Sequence, residues 1–191
     1  VEQAAGGGAP TVTPGASGTQ REPITVDDVL RMEAGKTAAL LACSASIGAL
    51  AVGAPADTVD ALYGYGHELG MAFQLVDDIL GITGDPAVTG KSASSDVRAG
   101  KRSAPVVAAL SAGTNASRRL ADLLVGGAPS TEEDVVLATK LIEEAGGIDW
   151  AAHEADSRLD RALGELNHLA SSQTVRNDLI ALARYVVDRD H

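Results

Sequence analysis

Phe73-Gln74-Leu75-Val76-Asp77-Asp78-Ile79-Leu80-Gly81 is the stretch on which the reading of this chain turns. Wound as a helix, it sets Gln74, Asp77, Asp78 and Gly81 on one face, at steps of three and four. The apolar run Leu69–Val76 leads into the pair, so its flanks read as buried. Two neighbouring carboxylates in such a place repel each other and are costly to desolvate. A divalent cation resolves both problems. Magnesium suits the role, since it accepts one or two carboxylates together with water and phosphate oxygens. Two solvated acids near a helix end are the competing reading of the pair taken alone.

Outward from this stretch the pattern stays helical. Thr25 followed by Asp27 and Asp28 marks a helix N-terminus. Gly35 is expected to break that helix, and an Ala/Leu-rich segment runs from about Lys36 to Val52. Pro55 opens a long segment that reaches about Ile82. Residues 83–100 hold Gly84, Asp85-Pro86, Gly90, Gly100 and three serines, and read as a long polar loop. Further helices are predicted over Ser103–Leu110 and Asn115–Val125, and from Ser130-Thr131-Glu132-Glu133 to Gly146-Gly147. Two more are predicted over Ile148–Leu169 and Thr174–Asp188, where Leu159, Leu163, Leu166 and then Leu179, Leu182, Val186 recur at threes and fours. No alternating strand pattern appears, so the fold class is all-α. Residues 1–23, built of Gly, Ala, Pro, Thr, Ser and Gln with scattered charge, read as a flexible linker or tail. Residues 24–191 read as the folded domain.

Composition narrows the function classes. A chain of 191 residues with 45% hydrophobic content can bury a core. Aromatics at 3% are too few for stacking platforms, and a net charge of −11 opposes binding to nucleic acid or an anionic membrane. The single cysteine, Cys43, excludes an internal disulfide framework and reads as a small core residue. No uninterrupted apolar run suggests a membrane span, and VEQAAGGGAP lacks the features of a signal peptide, so a cytoplasmic protein is expected. The initial Val suggests a fragment or a processed chain. Trp150 reads as an apolar anchor, Tyr63 and Tyr65 as possible cavity linings, and the four histidines show no ligand spacing.

Lysine usage is the second clue. Four lysines stand against eleven arginines, and Lys36, Lys91 and Lys101 sit beside glycine or in the polar loop. A compact ammonium suits point-charge binding of phosphate. Chance placement on loops and helix starts is the alternative. Gly84 to Lys91-Ser92 is not a nucleotide-binding P-loop, because five residues separate Gly84 from Gly90 where four are required and a helix precedes it.

In chain order the sequence carries Gly35-Lys36-Thr37, Phe73-Gln74, Asp77-Asp78, Gly84-Asp85-Pro86, Gly90-Lys91, Asp96 and Gly100-Lys101. This ordered set resembles the C-terminal half of the trans-isoprenyl diphosphate synthases, the polyprenyl synthetase family. The likeness runs from about Val26 to His191 and ends in Tyr185-Val186-Val187-Asp188-Arg189. It implies an isoprenoid-synthase helical bundle around a deep central cavity. It implies that Asp77 and Asp78 hold Mg²⁺ against an allylic diphosphate, Asp77 more directly, and that Lys91 and Lys101 bind the diphosphate. Lys36 matches a lysine that contacts diphosphate at a helix break, while Thr37 and Gln74 turn oxygens toward an allylic cation. Phe73 would meet the hydrocarbon of the homoallylic substrate, and Asp96 would hold the loop lysines. The implied reaction condenses isopentenyl diphosphate with an allylic diphosphate into a longer trans-polyprenyl diphosphate. Mg²⁺ and lysines would stabilise the charge developing on the leaving diphosphate. The chain's net negative charge is no obstacle, being screened beyond about 8–10 Å.

Two departures from the family pattern matter. Gly81 stands where many members carry a third aspartate; this is expected to weaken support of the metal ligands rather than ligation, so Gly81→Asp should be tolerated. The first aspartate-rich motif, the basic homoallylic-diphosphate site and the chain-length floor belong to an N-terminal half that this sequence lacks. That half is the expected partner, as a separate chain or cleaved fragment in a dimeric assembly. Residues 83–100 are expected to order on diphosphate, with Arg98 joining Lys36, Lys91 and Lys101. A class I terpene synthase on the same scaffold and a non-catalytic or regulatory subunit are the alternative readings.

Overall fold

Thr25 starts the first helix through its own side chain. Its hydroxyl accepts the Asp28 amide while the Asp28 carboxylate accepts the Thr25 amide, and α1 follows over Val26–Glu33. The computed structural model describes residues 23–84, 94–169 and 171–187. The linker expected before residue 23, and Asp85, Pro86, Gly90 and Lys91, lie outside the described residues.

Gly35 does not break the helix as expected. Ala34–Ala38 winds as one π-helical turn, and α2 runs on directly over Ala39–Ala51. The wider turn absorbs an extra residue without ending the backbone ladder. α3 covers Ala56–Thr83, 28 residues, about 42 Å of helix. Then follow α4 (Ser95–Arg98), α5 (Ala104–Ser111), α6 (Asn115–Leu123) and α7 (Glu132–Glu144). α8 (Gly147–Glu165), a 3₁₀ turn (Leu166–His168) and α9 (Gln173–Val187) complete the order. Among the described residues there is no strand, and the fold is all-α.

α3 is the axis, packing most extensively against α2 and α8. Three apolar layers succeed one another along it. Tyr65 and Leu69 meet Ala162, Leu166 and Ala183. Leu75 meets Val29, Val107, Ala151 and Ala155. Ile82 meets Val97, Val106, Leu120, Leu141 and Ile142. Each large side chain fully buried in this way contributes about 1.5–3 kcal/mol, so the register of α3 is set on both sides of Gln74 and Asp78. Gly70 sets the third contact. A Cβ on it would lie 2.6 Å from the Cα of Ala38, so only hydrogen fits. The π turn therefore sits directly on α3, with Thr37 opposite Gln74.

Residues 94–100 are not the irregular loop that the sequence suggested. Ser94, at a left-handed φ of 55°, opens the short α4. Its hydroxyl donates to the Ile82 carbonyl at 3.0 Å and accepts from the Thr139 hydroxyl at 3.0 Å. Cys43 is exposed rather than in the core. It lies on an outward stripe of α2 with Leu40, Ile47 and Leu50, all exposed, because α3 covers only the Ala38–Ala42–Ser46 side. The helical stretch Val26–Ala51 is long and apolar enough, by length and composition alone, to cross a membrane, with 17% of its most apolar window buried. This differs from the expectation that no stretch would qualify. Buried Val29, Ala38 and Ala42 join this helix to the bundle. Trp150 packs as the expected anchor, half-buried against the middle layer. Tyr65 is buried and donates its hydroxyl to the Leu179 carbonyl at 2.8 Å, while Tyr63 is exposed.

Candidate active site

The polar residues that the sequence singled out converge where the π turn, α3 and the segment around α4 meet. Thr37 Oγ1 donates to Gln74 Oε1 at 2.9 Å. Gln74 Nε2 donates to Asp78 Oδ1 at 3.1 Å. Only this orientation of the amide serves both neighbours, since the carboxylate cannot donate. Lys101 Nζ then bridges Asp78 Oδ1 at 2.8 Å and Asp96 Oδ2 at 2.7 Å. Thr37, Gln74, Asp78, Lys101 and Asp96 form one continuous chain of hydrogen bonds.

The two aspartates of the pair are not equivalent. The Asp78 side chain is 1% exposed, and its second oxygen accepts the Ala104 amide at the start of α5 at 3.1 Å. A helix N-terminus is a natural seat for an anion. Asp77, one step of about 100° round the helix, is half-buried. Lys36 is exposed on the π turn, with Thr37 half-buried beside it, and Phe73 is half-buried on α3. Burial works against the charge on Lys101, but its hydrogen bonds to Asp78 and Asp96 outweigh it and raise its pKa. Lys91 lies outside the described residues.

Sequence reasoning missed Glu33. The last residue of α1, it is only 2% exposed. Burial, then the hydrogen bond and charge of Asp78, push its carboxyl well above the usual carboxylate range, up to about 8. Its position three residues before Lys36 was the one available signal. Arg98 does not join the cluster, since its guanidinium forks onto Glu132 of α7. Gly81 faces Asp96: a Cβ there would lie 2.5 Å from the Asp96 carboxylate carbon. A side chain at position 81 would require the tip of the Asp96 side chain to move aside.

Among the described residues no group of three or more His, Cys, Asp or Glu side chains forms a ready-made metal cage. With the Asp78 oxygens committed to Gln74, Lys101 and Ala104, the donor set fits a hard cation held through Asp77, water and phosphate oxygens. It does not fit a cation gripped by both aspartates.

A family model described as polyprenyl synthetase matches residues 15–142. The geranylgeranyl diphosphate synthase of Mycobacterium tuberculosis is 46% identical over 167 residues, covering 87% of this chain and 47% of that protein. Among solved structures, a polyprenyl synthetase from Streptomyces coelicolor A3(2) superposes with a TM-score of 0.83 at 46% identity, covering 87% of this chain and 51% of the other. A geranylgeranyl pyrophosphate synthase from Corynebacterium glutamicum, complexed with isoprenyl diphosphate and magnesium, gives 0.80 at 33% identity, covering 86% and 47%. This chain spans about half the length of the curated relatives it matches.

Proposed function

The chain belongs to the polyprenyl synthetase family, and from that premise we propose that it forms the Mg²⁺- and diphosphate-binding wall of a trans-prenyltransferase. The reaction joins isopentenyl diphosphate to an allylic diphosphate: the allylic C–O bond breaks and pyrophosphate leaves, a C–C bond forms, and a proton is lost from the isopentenyl unit. The observation that carries this reading is the hydrogen-bonded chain from Thr37 to Asp96. It gathers residues from three separate parts of the fold into one polar wall beside a half-buried carboxylate.

Asp77 is the residue that would hold Mg²⁺, which supplies charge neutralisation for the departing diphosphate. Asp78 positions Gln74 and Lys101. The Thr37 hydroxyl commits its proton to Gln74, so its lone pairs are left to face a developing cation without attacking it. Lys36, exposed beside it, and Lys101, with its side chain 38% exposed, provide positive charge for phosphate oxygens, with Lys91 as a further candidate. Phe73 lines the hydrocarbon path. The exposed stripe of Leu40, Cys43, Ile47 and Leu50 is the face that the remaining half of the enzyme covers, in a dimeric assembly. The substrates are water-soluble diphosphates, which suits a cytoplasmic reaction.

The test is incorporation of labelled isopentenyl diphosphate by the complete enzyme containing this chain, with and without Mg²⁺. Mg²⁺-dependent chain elongation supports the reading. Release of pyrophosphate without incorporation of label would overturn it in favour of cyclisation, and neither activity would overturn it in favour of a non-catalytic subunit.

A further inference from the structure

Among the described residues, Ser94 alone takes a left-handed backbone without being glycine; the five other positions of positive φ are all glycine. A glycine adopts a φ of 55° freely and an L side chain does not. A residue held in such a conformation needs its surroundings to keep it there. The Ser94 hydroxyl supplies the contacts that do so.

Ser94 Oγ donates its one proton to the Ile82 carbonyl at 3.0 Å. Ile82 lies in the last turn of α3, where carbonyls find no partner further along the helix. With that proton committed, Ser94 Oγ meets the Thr139 hydroxyl of α7, 3.0 Å away, as acceptor. Thr139 Oγ1 also lies 3.0 Å from the Val135 carbonyl of its own helix, which holds it in place. The Ser94 carbonyl then accepts the Arg98 amide at 2.9 Å and so opens α4. One residue closes α3, starts α4 and is gripped by α7. α7 touches α4 a second time, through the Arg98–Glu132 pair. Those side chains are 42% and 67% exposed, and such pairs contribute little in water, whereas Ser94 and Thr139 are half-buried. The Thr139 side is therefore the stronger hold.

We infer that Ser94 is a positioning residue for the polar wall: held by Thr139, its hydroxyl locks the last turn of α3 to the first of α4. α7, which stands outside the wall, thereby sets where α4 enters it. This rests on the reading of that wall as the diphosphate-binding face. The lock lies four residues past Asp78 on α3 and two before Asp96 on α4. Without the hydroxyl the two helix ends are free to part, and the wall loses the fixed spacing between its α3 and α4 members.

The experiment compares Ser94→Gly, Ser94→Ala, Thr139→Val, Thr139→Ser and Glu132→Gln with the wild type. The first readout is amide hydrogen exchange over residues 94–101 in the full chain without ligand. The second is calorimetric binding of Mg²⁺ with inorganic pyrophosphate to the complete enzyme. Ser94→Gly deletes the hydroxyl but frees the backbone, so lost hydrogen bonds and relieved strain oppose each other in stability and not in positioning. It should melt close to the wild type, yet exchange faster and bind pyrophosphate about three- to tenfold more weakly, the effect of one hydrogen bond. Ser94→Ala keeps the strain and should melt lower as well. Thr139→Val should weaken binding as Ser94→Gly does, and Thr139→Ser, which keeps the hydroxyl, should restore it. Glu132→Gln should match the wild type in both readouts. Wild-type exchange and binding in Ser94→Gly, or no restoration by Thr139→Ser, would overturn the inference. So would a larger loss in Glu132→Gln than in Thr139→Val. Should the Ser94 variants fail to fold, the two Thr139 variants decide by themselves. If the wild type binds no pyrophosphate, the functional reading fails while exchange over residues 94–101 still decides the role of Ser94.

Discussion

Asp78 caps a helix to which it does not belong: its Oδ2 accepts the backbone amide of Ala104, the first residue of α5, at 3.1 Å. Ser103, the residue placed to cap α5, makes no side-chain cap, and its buried hydroxyl has no partner among the described residues. The carboxylate from α3 has taken over that task, so one residue joins α3, α5 and Lys101. Asp78→Ala should therefore be a structural mutation first. Lys101 keeps Asp96 and water as partners, so the loss is that of the buried Ala104 amide and Gln74 left without their acceptor, about 1–3 kcal/mol. Urea unfolding of the chain should show that loss, with Asp78→Asn intermediate. A loss below about 1 kcal/mol, the scale of an exposed pair, would show that Asp78 is not this anchor.

Asp77→Ala should separate from it. Elongation by the complete enzyme should fall by at least about 10²–10³-fold, as when a group stabilising transition-state charge is removed. Its urea midpoint should fall less than that of Asp78→Ala. Near-normal turnover would remove Asp77 from the proposed metal site.

Gly70→Ala should uncouple α3 from the π turn. The added Cβ meets the backbone Cα of Ala38 at 2.6 Å, and backbone cannot swing aside as a side-chain tip can. Overpacking of this kind costs about 1–3 kcal/mol. The displaced turn should also lengthen the Thr37–Gln74 hydrogen bond and lower turnover more than it weakens substrate binding. A variant with wild-type melting temperature and turnover would show that the contact yields freely.

The helical class was legible because it rests on local signals, whereas Thr37, Asp96 and Lys101 were drawn to the wall by the resemblance, since no local spacing joins them to α3. Thr25 and Asp28 announce a cap, the threes and fours announce helices, and Gln74 and Asp78 share a face by spacing alone. The inequality of Asp77 and Asp78 was half legible. The resemblance favoured Asp77, but the reason lies in α5, whose amide reaches Asp78 from 26 positions away. Glu33 was missed because its one signal, a place three residues before Lys36, says nothing of the burial of an acid ending α1. Gly35 misled because a π turn and a helix break share the same composition. Cys43 misled because apolar residues surround it on α2 whether or not another helix covers them.

Glu68 should govern part of the acid limb of stability, away from the site. Burial works against its charge, but hydrogen bonds and charge from Arg161, Arg158 and His67 outweigh it and hold its pKa below the usual value. Arg161 Nε lies 3.0 Å and Arg158 Nη1 3.3 Å from Glu68 Oε2. A carboxyl lowered on folding contributes stability above its unfolded pKa and loses it as pH falls through the folded one. Glu68→Gln should cost about 1–3 kcal/mol at pH 7, the worth of hydrogen bonds to a charged group. The gap should close in strongly acidic solution. Parallel melting curves at all pH values would show that Glu68 contributes nothing through its charge.

The outer stripe of α2 tests the proposed assembly. Leu40 is 66% exposed, Ile47 55% and Leu50 65%, at steps of seven and three along one helix face. Single exposed apolar residues are ordinary, but a contiguous stripe marks a surface that meets something. Because these side chains make little of the chain's own core, Leu40→Glu with Ile47→Glu should leave its stability within about 0.5 kcal/mol per site, as for other surface changes. Sedimentation of the chain by itself should show self-association that the double variant relieves. In the complete enzyme the same variant should lower elongation, since two charges would then be buried without partners against the other half. Full elongation with both glutamates in place would mean that this face stays open to solvent and that the remaining half packs elsewhere.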